Sequence, residues 1–220
     1  MSQVVESLRP KFRAQSRQGL LLLGLSLLTA GLGLAMVASA SAIDSFKQTD
    51  SAATMFLRQG AFAIVGLVVL VIASNLPMGF YRRLSMPILL GALGLQVATV
   101  LFGADINGNR NWLDLGFISI QPSEFLKLAL IIALAQLFAQ LGANEERNRQ
   151  LWTWAFLLSA ASLVLVAIMG RDLGTGVVMA VLLMGMFLFA GMRWHTWLLI
   201  AVAGIASAAA LIMYSPSRRI

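Results

Sequence analysis

The chain contains no cysteine, a single histidine and few charges: Asp and Glu total nine and Lys and Arg 16, together 11% of its 220 residues. The missing cysteine excludes a disulfide scaffold, and His195 has neither a second histidine nor a thiol with which to share a metal. Scarce charge excludes an ordinary soluble domain, in which about 25% of residues are charged. The five prolines and 19 glycines follow no collagen-like period, and a 59% hydrophobic composition excludes intrinsic disorder. What is present is apolar side chain, at a mean hydropathy of +0.85, in excess of what one water-facing core could bury. The surplus must face lipid.

The charges are spaced as a membrane requires. A bilayer core takes roughly 20 apolar residues per helical span. Seven uncharged runs meet or approach that length: 18–43, 59–81, 84–104, 128–144, 150–170, 173–192 and 194–217. They are apolar on every face, and backbone groups in hydrocarbon must pair within their own segment, so each run is predicted to be a helix. The expected fold is all-α, a polytopic membrane bundle of seven transmembrane helices. Pro10, Pro77, Pro87, Pro122 and Pro216 fall at or near run ends, where a missing N–H is least costly.

Lys and Arg in the short connections set the orientation. A cytoplasmic N-terminus places nine of them inside, led by Arg9, Lys11, Arg13 and Arg17, and six outside, with Arg218 and Arg219 on the unfavourable side. The expected organisation is a basic cytoplasmic tail over 1–19, a helix bundle over 20–217 and the start of an outer loop at 218–220. Ala38-Ser39-Ala40 resembles a signal-peptidase site. Its run of 26 residues nevertheless exceeds the apolar core of a secretory signal, about 7 to 15, and is expected to stay as the first helix. A net charge of +7 spread over short loops points to anionic membrane lipids rather than nucleic acid as the basic face's partner.

Two stretches carry polar groups without a loop's usual reason, 103–127 and 170–176. Pro122 suits the first position of a helix, and Glu124 then falls in the first turn, where exposed N–H groups favour negative charge. Lys127, three residues on, shares a face with Glu124. The pair reads either as a snorkelling lysine with a local partner or as a polar patch facing the bundle interior on a substrate or ion path. In the Gly- and Asn-rich connection before it, Arg110 lies near Trp112. That reads as an interfacial anchor, or as a grip on a lipid pyrophosphate, because arginine holds anionic oxygens bidentately and a glycine-rich loop adds backbone donors. Asp172, with Arg171 as its near charge partner, is placed to cap the sixth helix. Gly31, Gly33, Gly91, Gly94, Gly185 and Gly191 read as helix-packing positions, and 144–149 as a solvated turn. No nucleotide loop and no internal repeat is evident.

Gly108-Asn109-Arg110-Asn111-Trp112, then Leu115-Gly116, then Gln121-Pro122-Ser123-Glu124-Phe125-Leu126-Lys127 resemble the signature of the SEDS family, the shape, elongation, division and sporulation proteins that include FtsW and RodA. Residues 36–41, Arg58-Gln59 and Asp172-Leu173-Gly174-Thr175 are similar to further landmarks of that family in the same order. The resemblance covers the chain after its basic tail. Residues 36–41 and 107–112 look more like the division branch, FtsW, than the elongation branch, RodA.

The resemblance implies a bacterial peptidoglycan glycosyltransferase of the cytoplasmic membrane that polymerises lipid II on the outer face. In that reaction an acceptor hydroxyl attacks the donor's anomeric carbon and a polyprenyl pyrophosphate departs. A carboxylate must act as general base, and positive charge or a divalent cation must meet the pyrophosphate. The resemblance further implies that Arg110, Glu124 and Lys127 line an outward-opening cavity shaped by Gln121, Ser123, Asp172 and Thr175, and that the partner is a class B penicillin-binding protein. Family members have about ten spans of this kind, with the catalytic aspartate in the outer loop after the seventh. No catalytic residue is therefore expected among these 220 residues, and the resemblance puts the catalytic aspartate beyond Ile220. Two departures stand out: Asn111 occupies the place of an arginine, and Arg171 that of a proline. A lipid II flippase is disfavoured because every acidic residue lies at a run edge or in a loop. A non-catalytic membrane partner of the transpeptidase would tolerate charge-neutral substitutions at Glu124 and Lys127.

Overall fold

The computed structural model describes residues 17–48, 54–106, 109–114 and 119–214. The basic segment 1–16 with Pro10, Gly108 and Leu115-Gly116 of the signature, Pro216 and the Arg218-Arg219 pair lie outside the described residues. Ile220 lies outside them too, and with it the expected start of an outer loop at 218–220 that would lead to the catalytic aspartate. Seven helices occur among the described residues, one for each predicted run: α1 (Arg17–Gln48), α2 (Thr54–Asn75), α3 (Met78–Phe102), α4 (Pro122–Phe138), α5 (Glu145–Leu163), α6 (Leu173–Phe189) and α7 (Trp194–Tyr214). By length and composition α1, α2, α3 and α5 with its extension to Met169 can each cross a membrane, and α6 and α7 are shorter apolar helices. The chain is a multi-pass membrane helix bundle. The 17 residues of α4 rise only about 25 Å, slightly less than a hydrocarbon core of about 30 Å, which keeps its polar first turn near the interface.

The connection between α3 and α4 is a small antiparallel sheet rather than a loop. Its strands β1 (Ala104–Ile106), β2 (Asn109–Asp114) and β3 (Ser119–Ile120) are ordered β1-β2-β3. Trp112 pairs with Ala104 and Leu113 with Ile120. A polar connection at a membrane edge satisfies its backbone by pairing with itself.

Helix ends do not follow the charges. α3 begins at Met78 and takes in Arg82 and Arg83, so Pro87 lies inside a helix instead of near its end. Long basic side chains can reach the interface from within a helix, so a charge bounds the apolar run without ending the helix. α5 likewise begins at Glu145, and Asn144, expected in a solvated turn, caps it by accepting the Arg147 N–H at 3.0 Å. Pro77, at the N-cap of α3, and Pro122, the first residue of α4, occupy the positions proline tolerates.

The chain divides into two compact units, 1–76 and 77–220. In the first, α1 packs against α2. Its hydroxyls turn back onto their own helix, Ser26 Oγ donating to the Leu22 carbonyl at 2.8 Å and Thr29 Oγ1 to that of Leu25 at 2.9 Å, as hydrocarbon surroundings require. In the second, α3 and α4 form the main packed pair, with α5 and α6 against them. Leu89, Leu126, Leu130, Leu134, Val166 and Met179 are the largest fully enclosed apolar side chains among its described residues.

The bundle closes on rings at the end of α4, the start of α5 and the end of α6. Phe187 stacks on Phe156 at 4.6 Å and on Trp152 at 5.8 Å, with Phe138 edge-on at 5.4 Å. α6 then stops in a Schellman motif, with Gly191 at φ +92°, its N–H bonded to the Leu188 carbonyl and the Met192 N–H to that of Phe187. Gly191 is therefore a terminator, not a packing position. At Gly31, Gly33, Gly91, Gly94 and Gly185 an added Cβ would meet nothing within 4 Å among the described residues, so these do not mark close helix approach there. The tight approach is at Gly176, where a Cβ would lie 2.7 Å from that of Ala167.

Candidate functional site

At the opposite end of the same bundle, polar side chains from four segments converge. α3 contributes Gln96 and Thr99, both fully buried. β2 alternates its side chains, so Asn111 faces inward at 0% exposure while Arg110 is exposed on the other face. Gln96 Nε2 donates to Asn111 Oδ1 at 3.0 Å, which joins α3 to β2. On the backbone, the Arg110 N–H donates to the Gly170 carbonyl at 3.0 Å and joins β2 to the end of α5.

That end is not regular α-helix. Residues Val164–Met169 form a π-helical turn. It is followed by the Gly170 N–H bonding the Leu165 carbonyl at 2.9 Å and the Asp172 N–H bonding that of Val166 at 3.2 Å. Arg171 follows in the left-handed region at φ +56°, a conformation that costs a non-glycine residue energy and recurs at functional sites. The strained residue delivers Asp172 to the N-cap of α6, where Oδ1 accepts the Thr175 N–H at 2.9 Å and Oδ2 accepts the Thr175 hydroxyl at 2.7 Å. The predicted cap is therefore present. Gln121, the last residue before α4, donates from Nε2 to Asp172 Oδ2 at 3.1 Å and to Thr175 Oγ1 at 3.2 Å. Three residues singled out by sequence, Gln121, Asp172 and Thr175, thus form one hydrogen-bonded set.

Glu124 and Lys127 form the expected pair within α4, the ammonium lying 2.8 Å from both carboxylate oxygens. The exposures differ, 16% for the lysine side chain and 55% for the glutamate, so Lys127 sits deeper and Glu124 fronts the solvent. Lys127 also acts on the neighbouring set. Partial burial by itself raises the Asp172 carboxyl. The Thr175 N–H and hydroxyl, the Asn111 amide and the Lys127 charge outweigh it and hold the group below its ordinary 3.8, ionised at neutral pH.

Ser123 is fully buried beside Gln121, with no partner for its hydroxyl among the described residues. Ser162 and Thr99, by contrast, bond carbonyls one turn back in their own helices at 2.8 and 2.7 Å. Ser123 is the second residue of α4 and has no earlier helical turn to bond. Gln96 and Ser159 each also retain one buried polar atom without a partner among the described residues. Sequence reasoning passed over Gln96, Thr99, Ser159 and the inward role of Asn111. The available signal was an amide in the middle of the apolar run 84–104, where a membrane segment carries polar groups only for a reason. Among the described residues no three acidic or histidine side chains converge as a metal site would need, and the positive charge at this end comes from Lys127, Arg110 and Arg171.

A sequence model of the FtsW, RodA and SpoVE cell cycle proteins matches residues 19–220. The chain is similar to the protein named Probable peptidoglycan glycosyltransferase FtsW from Nitrosococcus halophilus, 36% identical over 202 residues that cover 90% of this chain and 51% of that protein. The protein of the same name from Tolumonas auensis is 35% identical over 215 residues, 96% of this chain and 53% of the relative. The chain therefore spans about half the length of the curated relatives it matches. Among solved structures, the rod shape determining protein RodA of Thermus thermophilus superposes with a TM-score of 0.59 at 27% identity, over 82% of this chain and 58% of that one. A chain from a structure of a peptidoglycan synthase complex that coordinates polymerization and crosslinking superposes at 0.56 and 27% identity, over 86% of this chain and 56% of that one.

Proposed function

This chain belongs to the FtsW, RodA and SpoVE cell cycle family, and we propose that it forms the lipid II-binding half of a peptidoglycan glycosyltransferase of the division type, acting at the outer face of the bacterial cytoplasmic membrane. The observation that carries the reading is the juxtaposition of the Glu124–Lys127 pair with an ionised, hydrogen-bonded Gln121–Asp172–Thr175 set at one end of an otherwise apolar bundle. Burying polar groups in a membrane protein is costly, and such groups belong where a substrate or ion is handled.

The roles follow from the chemistry. Lys127 has three N–H donors, of which its contact with Glu124 occupies at most two, leaving one for a phosphate oxygen. With Arg110 it stabilises the charge that develops on the pyrophosphate as the bond to the anomeric carbon breaks. Glu124 keeps the ammonium charged and aimed. Gln121, Asp172 and Thr175 fix the start of α4 against the start of α6, so that the two helix N-termini keep a constant spacing around the ligand, and the buried Ser123 shapes the cavity beside them. The general base, an aspartate beyond Ile220 by the family resemblance, belongs to the part of the family's length that this chain does not span. A class B penicillin-binding protein is the proposed partner, supported by the likeness to a chain of a peptidoglycan synthase complex.

The test is a lipid II polymerisation assay on the purified chain beside a version extended to the natural stop codon of its gene, if the reading frame continues. Glycan strands from the continued version alone support this reading. No polymer from either, under conditions where a known polymerase works, removes it in favour of a docking or transport role.

A further inference from the structure

The amide pair buried between α3 and β2 is not part of the proposed ligand shell, yet it governs a residue that is. Gln96 and Asn111 are both at 0% exposure and are joined at 3.0 Å. Gln96 Oε1 has no hydrogen-bond partner among the described residues, so the pair is a costly feature to keep inside an apolar bundle. Asn111 also packs against Gly170 so closely that a Cβ there would collide with its Oδ1 and Cγ. It thus touches α3 through Gln96 and the end of α5 through Gly170.

Successive residues of a strand face opposite sides, so fixing Asn111 inward fixes Arg110 outward. The Arg110 N–H bond to the Gly170 carbonyl completes the clamp from the backbone side. We infer that Gln96 and Asn111 are positioning residues: their buried amide bond pins β2 to α3 and to Gly170, and thereby aims the Arg110 guanidinium at the pyrophosphate of the bound lipid. The inference rests on the reading of Arg110 as a pyrophosphate ligand, and it goes further by assigning that residue's aim to two side chains that never touch the ligand. Gln96 is the better handle, since it reaches the site through its hydrogen bond to Asn111, whereas Asn111 also meets Gly170.

The experiment uses the whole chain in detergent micelles and two readouts. Backbone hydrogen exchange of 110–113 reports the clamp without any ligand. Gln96→Met, which keeps the side chain's length and removes its donor, should speed exchange in β2 at least about tenfold while the α4 and α6 amides keep their wild-type rates. Unchanged exchange in β2 overturns the inference, as does an equal rise throughout the bundle, which would mean general loosening. Lipid II binding then separates the layers. Gln96→Met should weaken it about tenfold, and in an Arg110→Ala background it should weaken it no further, because both act through one guanidinium. Independent, multiplying effects overturn the positioning role. If Arg110→Ala alone leaves lipid II binding untouched while Gln96→Met still loosens β2, the failure belongs to the proposed ligand role of Arg110 and not to the clamp.

Discussion

The two ends of the α3–α6 bundle are built on opposite principles. One end is closed by Phe138, Trp152, Phe156 and Phe187, ring against ring at 4.6 to 6.4 Å. The other holds Gln96, Thr99, Asn111, Ser123 and Ser162 fully buried, with a π-helical turn and a residue at positive φ beside them. In lipid the hydrophobic effect does not drive helices together, so close packing and interhelical hydrogen bonds must do so. The aromatic end supplies packing at no polar penalty. The polar end carries unpaired atoms and strain that stability alone would not select, which supports the proposal that it is the working end.

That comparison can be broken or sharpened by substitution, with effects on stability falling from one end to the other. The largest loss is expected for Phe187→Ala, about 3 kcal/mol or more, because the ring is enclosed by three others. Thermal unfolding in detergent measures it, and a loss below about 1 kcal/mol would remove the structural role of the aromatic end. Gly170→Ala comes next, at about 1 to 3 kcal/mol, since its Cβ would run into Asn111 and lie 2.8 Å from the Val166 carbonyl. It should also weaken lipid II binding, whereas Phe187→Ala, assayed below its unfolding temperature, should leave the surviving folded fraction's affinity intact. Glu124→Gln and Lys127→Met should each change stability by less than about 1 kcal/mol, because Glu124 is half exposed and such pairs contribute little. Both should nevertheless abolish activity of the continued protein in the polymerisation assay.

The smallest effect is a pH dependence. Asp172 has a lowered pKa in the folded protein, so its contribution to stability is present above the ordinary carboxylate range and fades as pH falls through the lowered folded value. The unfolding midpoint of the wild type should therefore drop on acidification below about pH 4 more steeply than that of Asp172→Asn. Parallel curves would show that the cap of α6 draws nothing from the charge.

Much of this contrast was legible in the sequence where one residue type has one meaning in a membrane. Uncharged runs predicted the seven helices, Pro122 with Glu124 predicted the start of α4, the three-residue spacing predicted the Glu124–Lys127 pair, and Asp172 was expected to cap α6. The small sheet was not legible, because strands of only two to six residues carry no period to read. Pro87 was misplaced because arginines bound a run of hydropathy without bounding a helix. The amide clamp escaped because Gln96 and Asn111 are isolated polar letters 15 residues apart, and only the fold brings them together. The glycines at 91, 94 and 185 misled in the other direction, since small residues permit close approach without requiring it.

The central claim is that the polar end holds the lipid's pyrophosphate through Lys127. It is tested most directly by titrating lipid II into this chain and its Lys127→Met variant in the same micelles, with unfolding midpoints measured alongside. The account predicts affinity at least about tenfold weaker for the variant at an unchanged midpoint. Equal affinity for the two proteins would contradict it.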